Sequence, residues 1–330
     1  MATLYVVEPG CRLEREGRRL LVTQSGDVLR AVPLGRLSQV VLIGSVGSTT
    51  QALQMLLRAE IPLCLISRSG KLLGRLTPPM GKNLPLRHAH YRRAQDPAFC
   101  LRVAKRIADA KLRNARTVAR RIIAVHPEIG DGPLERMDDA LRAIPKAEDL
   151  GQVRGWEGLA GRAYFSAYKR ALPPDMTFKR RNRRPPRDPV NALLSLGYTL
   201  LTQNMITACE VVGLDPYDGF LHGDKYGRPA LALDLVEPFR AIVVDLVVKR
   251  LVNRRSVKPR DFTTHGQGVY LSQRAMKRFL RAYTARLETT VTDWRSGVRL
   301  SYQKHFELET RKLARAIQGS LDSYQPLRIR

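Results

Sequence analysis

Residues 230–252 read ALALDLVEPFRAIVVDLVVKRLV, and this run constrains the chain more than any other. Apolar residues occur around the whole circumference of the helix it would form, so the helix has to be surrounded by other elements. At roughly 100° per residue, Asp234 and Glu237 fall about 60° apart on one face of it. Like charges at this spacing repel, and burying an unpaired carboxylate is costly. Protonation, an arginine partner or a bound cation would each relieve the conflict. Arg240, three residues beyond Glu237, is placed to be the partner.

A chain of 330 residues can supply the surrounding core, and its length suggests division into two domains. Residues 1–76 carry short strand-like runs, LYVV, CRLERE, RRLLVT, VVLIG and IPLCLISR, separated by Gly, Ser and Pro turn signals. One helix, QALQMLLRAE, fits between them, capped by Ser48 or Thr49. The tract 77–90, with three prolines and little periodicity, reads as linker. From Asp96 the period becomes helical, with further helices expected near 134–146, 150–171, 188–212, 230–253, 272–288 and 301–319. The expected class is α+β. A small, sandwich-like N-terminal β-sheet domain (1–80) and a linker (81–94) precede a larger all-α domain (95–330).

Charge narrows the partner. Fifty-seven Lys and Arg against 30 Asp and Glu leave a net charge of +27, which attracts polyanions and makes their binding salt-dependent. No apolar run is long enough for a transmembrane helix, and the start MATLYVVEPG lacks the pattern of a signal peptide, so nucleic acid is favoured over membrane. Four scattered cysteines without a CxxC pair indicate neither zinc nor a disulfide framework, and fit a reduced cytoplasmic location. Between Arg87 and Arg121, eleven Lys and Arg face two Asp, an excess that marks a phosphate-binding face including Arg113 and Arg120. A second basic stretch, Lys179 to Arg187, holds six basic residues in nine: Lys179, Arg180, Arg181, Arg183, Arg184 and Arg187. Its prolines stiffen it, and Asp188 caps the helix that follows.

Few other residues can do chemistry. His222 precedes the turn GDKYGR and Pro229, so it can fold back over the first turns of the 230–252 helix, as a structural residue or as a ligand. Glu157 lies in RGWEGLAGRAYFSAY among Gly155, Gly158 and Gly161, glycines that suggest close approach by another helix or by a ligand. Two carboxylates with one imidazole suit Mg2+ or Mn2+ better than zinc. Walker, GxSxG, HExxH and Rossmann patterns are absent.

Four segments in order, GWEGLAGRAYF, RNRRPPRDPVNALLSLGYTLL, HGDKYGRPALALDLVEPFR and GVYLSQRAMKRFL, resemble the CRISPR-associated protein one family, the endonuclease/integrase that inserts new spacers into CRISPR arrays. The resemblance covers essentially the whole chain. It implies an N-terminal β domain that mediates homodimerisation and a helical domain with one metal site. The metal ligands would be Glu157, His222 and Glu237, with Asp234 adjacent, holding Mg2+ or Mn2+ for attack by a DNA 3′-OH or by water. Glu237 stands where relatives often have aspartate, which leaves open whether Asp234 touches metal. Duplex and branched DNA, and a small ferredoxin-like protein bridging two dimers, would be the partners. The alternatives from the residues themselves are a non-catalytic nucleic-acid scaffold, with the acids in ion pairs, or a branched-DNA repair nuclease.

Overall fold

The computed structural model describes residues 2–79, 83–176, 178–182, 185–223 and 226–330. The chain opens with eight strands and one helix: β1 (Ala2–Val6), β2 (Cys11–Glu16), β3 (Arg19–Gln24), β4 (Asp27–Pro33), β5 (Leu37–Ile43), β6 (Gly47–Ser48), α1 (Thr50–Arg58), β7 (Leu63–Ile66) and β8 (Leu72–Leu76). They form two four-stranded sheets, ordered β1-β5-β7-β8 and β4-β3-β2-β6. In the first, β1, β5 and β7 are parallel and β8 closes the edge antiparallel. Thr49 caps α1 by accepting from the Ala52 amide.

Alternation along β5 explains why VVLI is apolar throughout. Val40 and Leu42 point into a cluster shared with Leu13, Leu20 and Val22 of the second sheet and with Leu56 of α1. Val41 and Ile43 point the other way, with Cys64 and Ile66 of β7, into the core of the helical part. A strand covered on both faces has no polar side.

The helices are α2 (Leu84–Ala94), α3 (Pro97–Val125), α4 (Gly132–Ala143), α5 (Leu150–Arg170), α6 (Pro189–Val212), α7 (Ala230–Phe239), α8 (Leu246–Asn253), α9 (Gln273–Glu288) and α10 (Tyr302–Ile317). Two expectations need correction. Residues 84–94, taken as linker, form α2, capped by Asn83 and anchored by the buried Leu86 and His90. Its periodicity is hidden because only those two side chains are buried, between polar and basic neighbours. Nor is the remainder all-α: hairpins β9 (Phe262–His265) with β10 (Gly268–Leu271), and β11 (Thr290–Thr292) with β12 (Arg299–Ser301), interrupt it.

The run 230–252 is buried nearly throughout but is not one regular helix. Pro238 has no N–H to give to the preceding turn, and a π-helical turn over Arg240–Asp245 separates α7 from α8. The Asn114 amide of α3 donates to the Pro238 carbonyl at 2.9 Å and to the Leu327 carbonyl at 3.0 Å, tying α3, α7 and the last residues together. Gly197 of α6 permits close packing here, since a Cβ would stand 2.4 Å from Val244 Cγ1. Among the described residues no helix is long and apolar enough to cross a membrane.

Candidate active site

Three helices bring the acids together. α3 supplies Lys111, α5 supplies Glu157, and α7 supplies Asp234 and Glu237. Asp149 caps α5 through the Gln152 amide and Asp96 caps α3 through Ala98 and Phe99, fixing both helices at their starts. Lys111 was not singled out in the sequence, because it is one cation in a basic helix. At about 200° from Asp109, it points away from the stripe that its neighbours form.

The Lys111 ammonium lies between Glu157 and Glu237, in ion contact with Glu157 Oε1 and 2.5 Å from Glu237 Oε2. Arg240 Nη2 approaches Glu237 Oε1 at 3.1 Å, so the arginine remedy for burial is present. Burial alone would raise the Glu237 carboxyl. Arg240 and Lys111 overcome it and hold the group down at about 2. Burial depresses Lys111, but Glu237 and Glu157 more than compensate and raise it. Glu237 Oε2 is nevertheless buried without a hydrogen-bond partner: the short approach of Lys111 is an ion contact without hydrogen-bond alignment.

Asp234 has a different task. It is fully buried, and its two oxygens accept four hydrogen bonds. Oδ2 accepts from the Phe220 and Leu221 amides at 2.7 and 2.8 Å, and Oδ1 accepts from the His222 amide at 3.0 Å. The fourth contact joins Oδ1 to His222 Nδ1 at 2.6 Å. Nδ1 is the donor to this carboxylate, and Nε2 is directed towards Glu237 Oε1, 3.9 Å away; in the neutral imidazole that nitrogen carries the lone pair. Asp234 thus positions the imidazole and has no oxygen to spare. Gly219 makes this possible, because a Cβ there would meet Asp234 Oδ2 at 2.9 Å and the Ala230 carbonyl carbon at 2.8 Å. Arg154 of α5 holds the same loop by donating to the Leu221 carbonyl at 2.8 Å.

Of the residues expected as ligands, Glu157 and Glu237 meet at the Lys111 ammonium, and His222 Nε2 lies 3.9 Å from the other Glu237 oxygen. Among the described residues, no three acid, imidazole or thiol groups converge closely enough to hold a metal in their present rotamers. The donor set still suits a hard divalent ion: two carboxylates and one imidazole, with an ammonium standing where a cation is already stabilised. Gly155, Gly158 and Gly161 of α5 have no neighbour among the described residues within 4 Å of a Cβ position, so packing by another described helix is not their reason.

Behind the site, Asp245 is buried and accepts from Tyr198 at 2.5 Å and Tyr164 at 2.9 Å. Burial raises its carboxyl to about 6, against the pull of those hydroxyls and of Arg181 and Arg240. The Tyr198 ring lies 4.8 Å from the Arg240 guanidinium and 5.1 Å from that of Arg181. Arg181 thus belongs inside, bonded to Asn191 and Ser195, whereas Lys179, Arg180 and Arg187 of the same loop are exposed. Arg113 and Arg120 are exposed on α3, and Arg183 and Arg184 lie outside the described residues.

A two-sheet N-terminal part is thus packed on a helical part that holds a buried acid pair beside an imidazole. The model of the family described as CRISPR associated protein Cas1 matches residues 4–285, and the chain belongs to that family. It is 36% identical to CRISPR-associated endonuclease Cas1 3 of Thermus thermophilus, across 100% of this chain and 98% of that one. It is also 36% identical to a CRISPR-associated exonuclease Cas4/endonuclease Cas1 fusion of Geobacter sulfurreducens, over 97% of this chain but only 59% of the fusion. Among solved structures, a casposase bound to integration product superposes with TM-score 0.87 at 24% identity, covering 98% of this chain and 93% of that one. A CAS1 protein from Thermotoga maritima superposes at 0.80 and 22% identity, covering 98% of both chains.

Proposed function

We propose that the chain is a metal-dependent DNA endonuclease and integrase of CRISPR adaptation, joining a DNA 3′-OH to a phosphodiester of the array. The observation that supports this reading is the pairing of Glu157 and Glu237 across the Lys111 ammonium, with His222 Nε2 3.9 Å from the other Glu237 oxygen. Glu157, Glu237 and His222 would hold Mg2+ or Mn2+. When bound, the ion would polarise the scissile phosphate and stabilise charge on the attacking and leaving oxygens. Asp234 keeps the imidazole in the tautomer that presents a lone pair. Arg240 holds one Glu237 oxygen, and the other, Oε2, faces the centre. Lys111 is poised either to give up its place to the ion or to turn towards the substrate phosphate. The exposed Lys179, Arg180, Arg187, Arg113 and Arg120 would grip duplex or branched DNA by its backbone.

Homodimerisation through the β-rich part is supported by the edge strand β4, whose Val28 and Leu29 are 56% and 52% exposed. A small partner bridging two dimers would fit the casposase-like and Cas1-like architecture, and the structural neighbours include a Cas6-RT-Cas1–Cas2 complex.

One observation favours a second reading, the non-catalytic scaffold: Lys111 and Arg240 neutralise Glu157 and Glu237 without any metal. Glu157→Ala separates the two. The integrase reading expects Mn2+-dependent strand transfer of a 3′-overhang DNA into a repeat-containing plasmid to be lost while DNA binding persists. Wild-type strand transfer indifferent to chelator, or unchanged in Glu157→Ala, overturns the metal-site reading, and a wild type that binds DNA without any strand transfer leaves the scaffold.

A further inference from the structure

On the face of α3 away from Lys111, one carboxylate meets three guanidiniums. Asp109 Oδ1 accepts from Arg113 Nε at 2.8 Å, and Oδ2 lies 3.5 Å from Arg328 Nη1 and 3.8 Å from Arg295 Nη2. One negative charge against three positive ones leaves a surplus of two. The other acid nearby, Asp293, also attracts Arg295 and Arg328, but it brings Lys312 with it at 3.3 Å, so the surplus stays at two. Arg106 adds further repulsion at Arg295.

The arrangement is built rather than incidental. Arg328 is only 8% exposed, and its Nε is buried without a hydrogen-bond partner. Its backbone carbonyl accepts from the Trp294 amide at 3.1 Å, and its guanidinium lies 5.0 Å from the centre of the Trp294 ring. The preceding Leu327 amide donates to Glu309 Oε2 at 3.0 Å. Burial, together with Arg113 and Arg295, holds the Arg328 guanidinium down at about 10 despite Asp109. A fixed fork with an unused donor, in a field short of negative charge, is a receptor for an anion with several acceptor oxygens.

We infer that Arg113, Arg295 and Arg328 form a phosphate-binding site for a stretch of duplex DNA backbone, on the face of α3 opposite Lys111. A phosphate seated there meets the fork of Arg328 and the more exposed ends of Arg113 and Arg295, and competes with Asp109 for them. The inference rests on the DNA-binding reading above and adds residues from the β11–β12 turn and the last segment to it. As a backbone contact, the site is indifferent to base sequence.

Asp109 makes the test two-sided. Binding of a fluorescein-labelled mixed-sequence duplex is followed by anisotropy in EDTA across a salt series, so that catalysis plays no part. Arg295→Ala is expected to weaken binding equally for unrelated sequences, and to reduce the slope of log K against log salt by about 1. Asp109→Asn removes the competing charge and is expected to tighten binding. A folded Arg295→Ala protein with unaltered affinity and slope overturns the site, and so does Asp109→Asn that binds no more tightly while keeping its melting temperature. A wild-type chain that fails to bind the duplex at all removes the DNA-binding reading as well. Normal wild-type binding with unresponsive variants removes this site alone.

Discussion

Truncating Asp234 to alanine is the perturbation whose size the geometry states most directly. The carboxylate is fully buried and accepts four hydrogen bonds, three of them from the consecutive amides of Phe220, Leu221 and His222. Its removal leaves those amides facing apolar surroundings, and each unsatisfied buried donor costs about 1–3 kcal/mol. Loop relaxation and water entry would lower the total, so a loss of about 3–5 kcal/mol is expected. At about 2 °C per kcal/mol for a chain of this size, the melting temperature falls by roughly 6–10 °C. Asparagine should rescue little of this, since it offers one acceptor oxygen and one donor group where both oxygens accept. Urea unfolding gives the stability, and hydrogen exchange at Phe220 and Leu221 reports the loop. A loss below about 1 kcal/mol with unchanged exchange would refute the positioning role given to Asp234.

Lys111→Met leaves Glu157 facing Glu237 and is expected to cost up to about 3–5 kcal/mol in EDTA. Mn2+ at a hundred times its Kd should restore about 2.7 kcal/mol, and calorimetry with no Mn2+ response would count against the metal site. Glu309→Gln tests a buried acid whose carboxyl burial raises to about 7 against the pull of Lys312. The native carboxyl holds its proton more tightly than the unfolded one, so the wild type loses stability as pH rises from about 4.5 to 7. Relative to Glu309→Gln that loss is roughly 3 kcal/mol, readable by urea unfolding at pH 5 and pH 8. Gly219→Ala drives a Cβ onto Asp234 and should destabilise by about 1–3 kcal/mol, whereas Gly158→Ala, with open space around it, should stabilise α5 by up to about 1 kcal/mol. Thermal melts of the pair decide this, and a destabilising Gly158→Ala would contradict the open face.

Much of this was legible in the sequence where burial writes a period or a cap leaves a signature. The capping acids Asp96 and Asp188 begin α3 and α6. Strand β4 went unread because five of its first residues are exposed and carry no alternation, and α2 because it buries only two side chains. In the site, the conflict between apolar surroundings and the pair Asp234 and Glu237 was visible, as was the Arg240 remedy. The division of labour between the two acids was not, since it depends on where the 220–222 loop folds. Lys111 and Arg181 were hidden for a common reason. Each is one cation among many in a basic stretch, and only the tertiary fold turns it inward to a glutamate pair or a tyrosine ring.

The sheet β1-β5-β7-β8 has a mechanical consequence. One face of it belongs to the β-rich core and the other to the helical core, and Tyr5 of β1 packs edge-on against Tyr283 of α9, ring centres 6.3 Å apart. Arg75 of β8 adds a bidentate clamp on Glu210 of α6, at 2.8 and 2.7 Å. The outer β surface and the acid cluster are therefore held in fixed register by a shared wall rather than by a tether. Any assembly built through that outer surface would set the distance between two acid clusters as a rigid gauge, with its length written in side-chain packing.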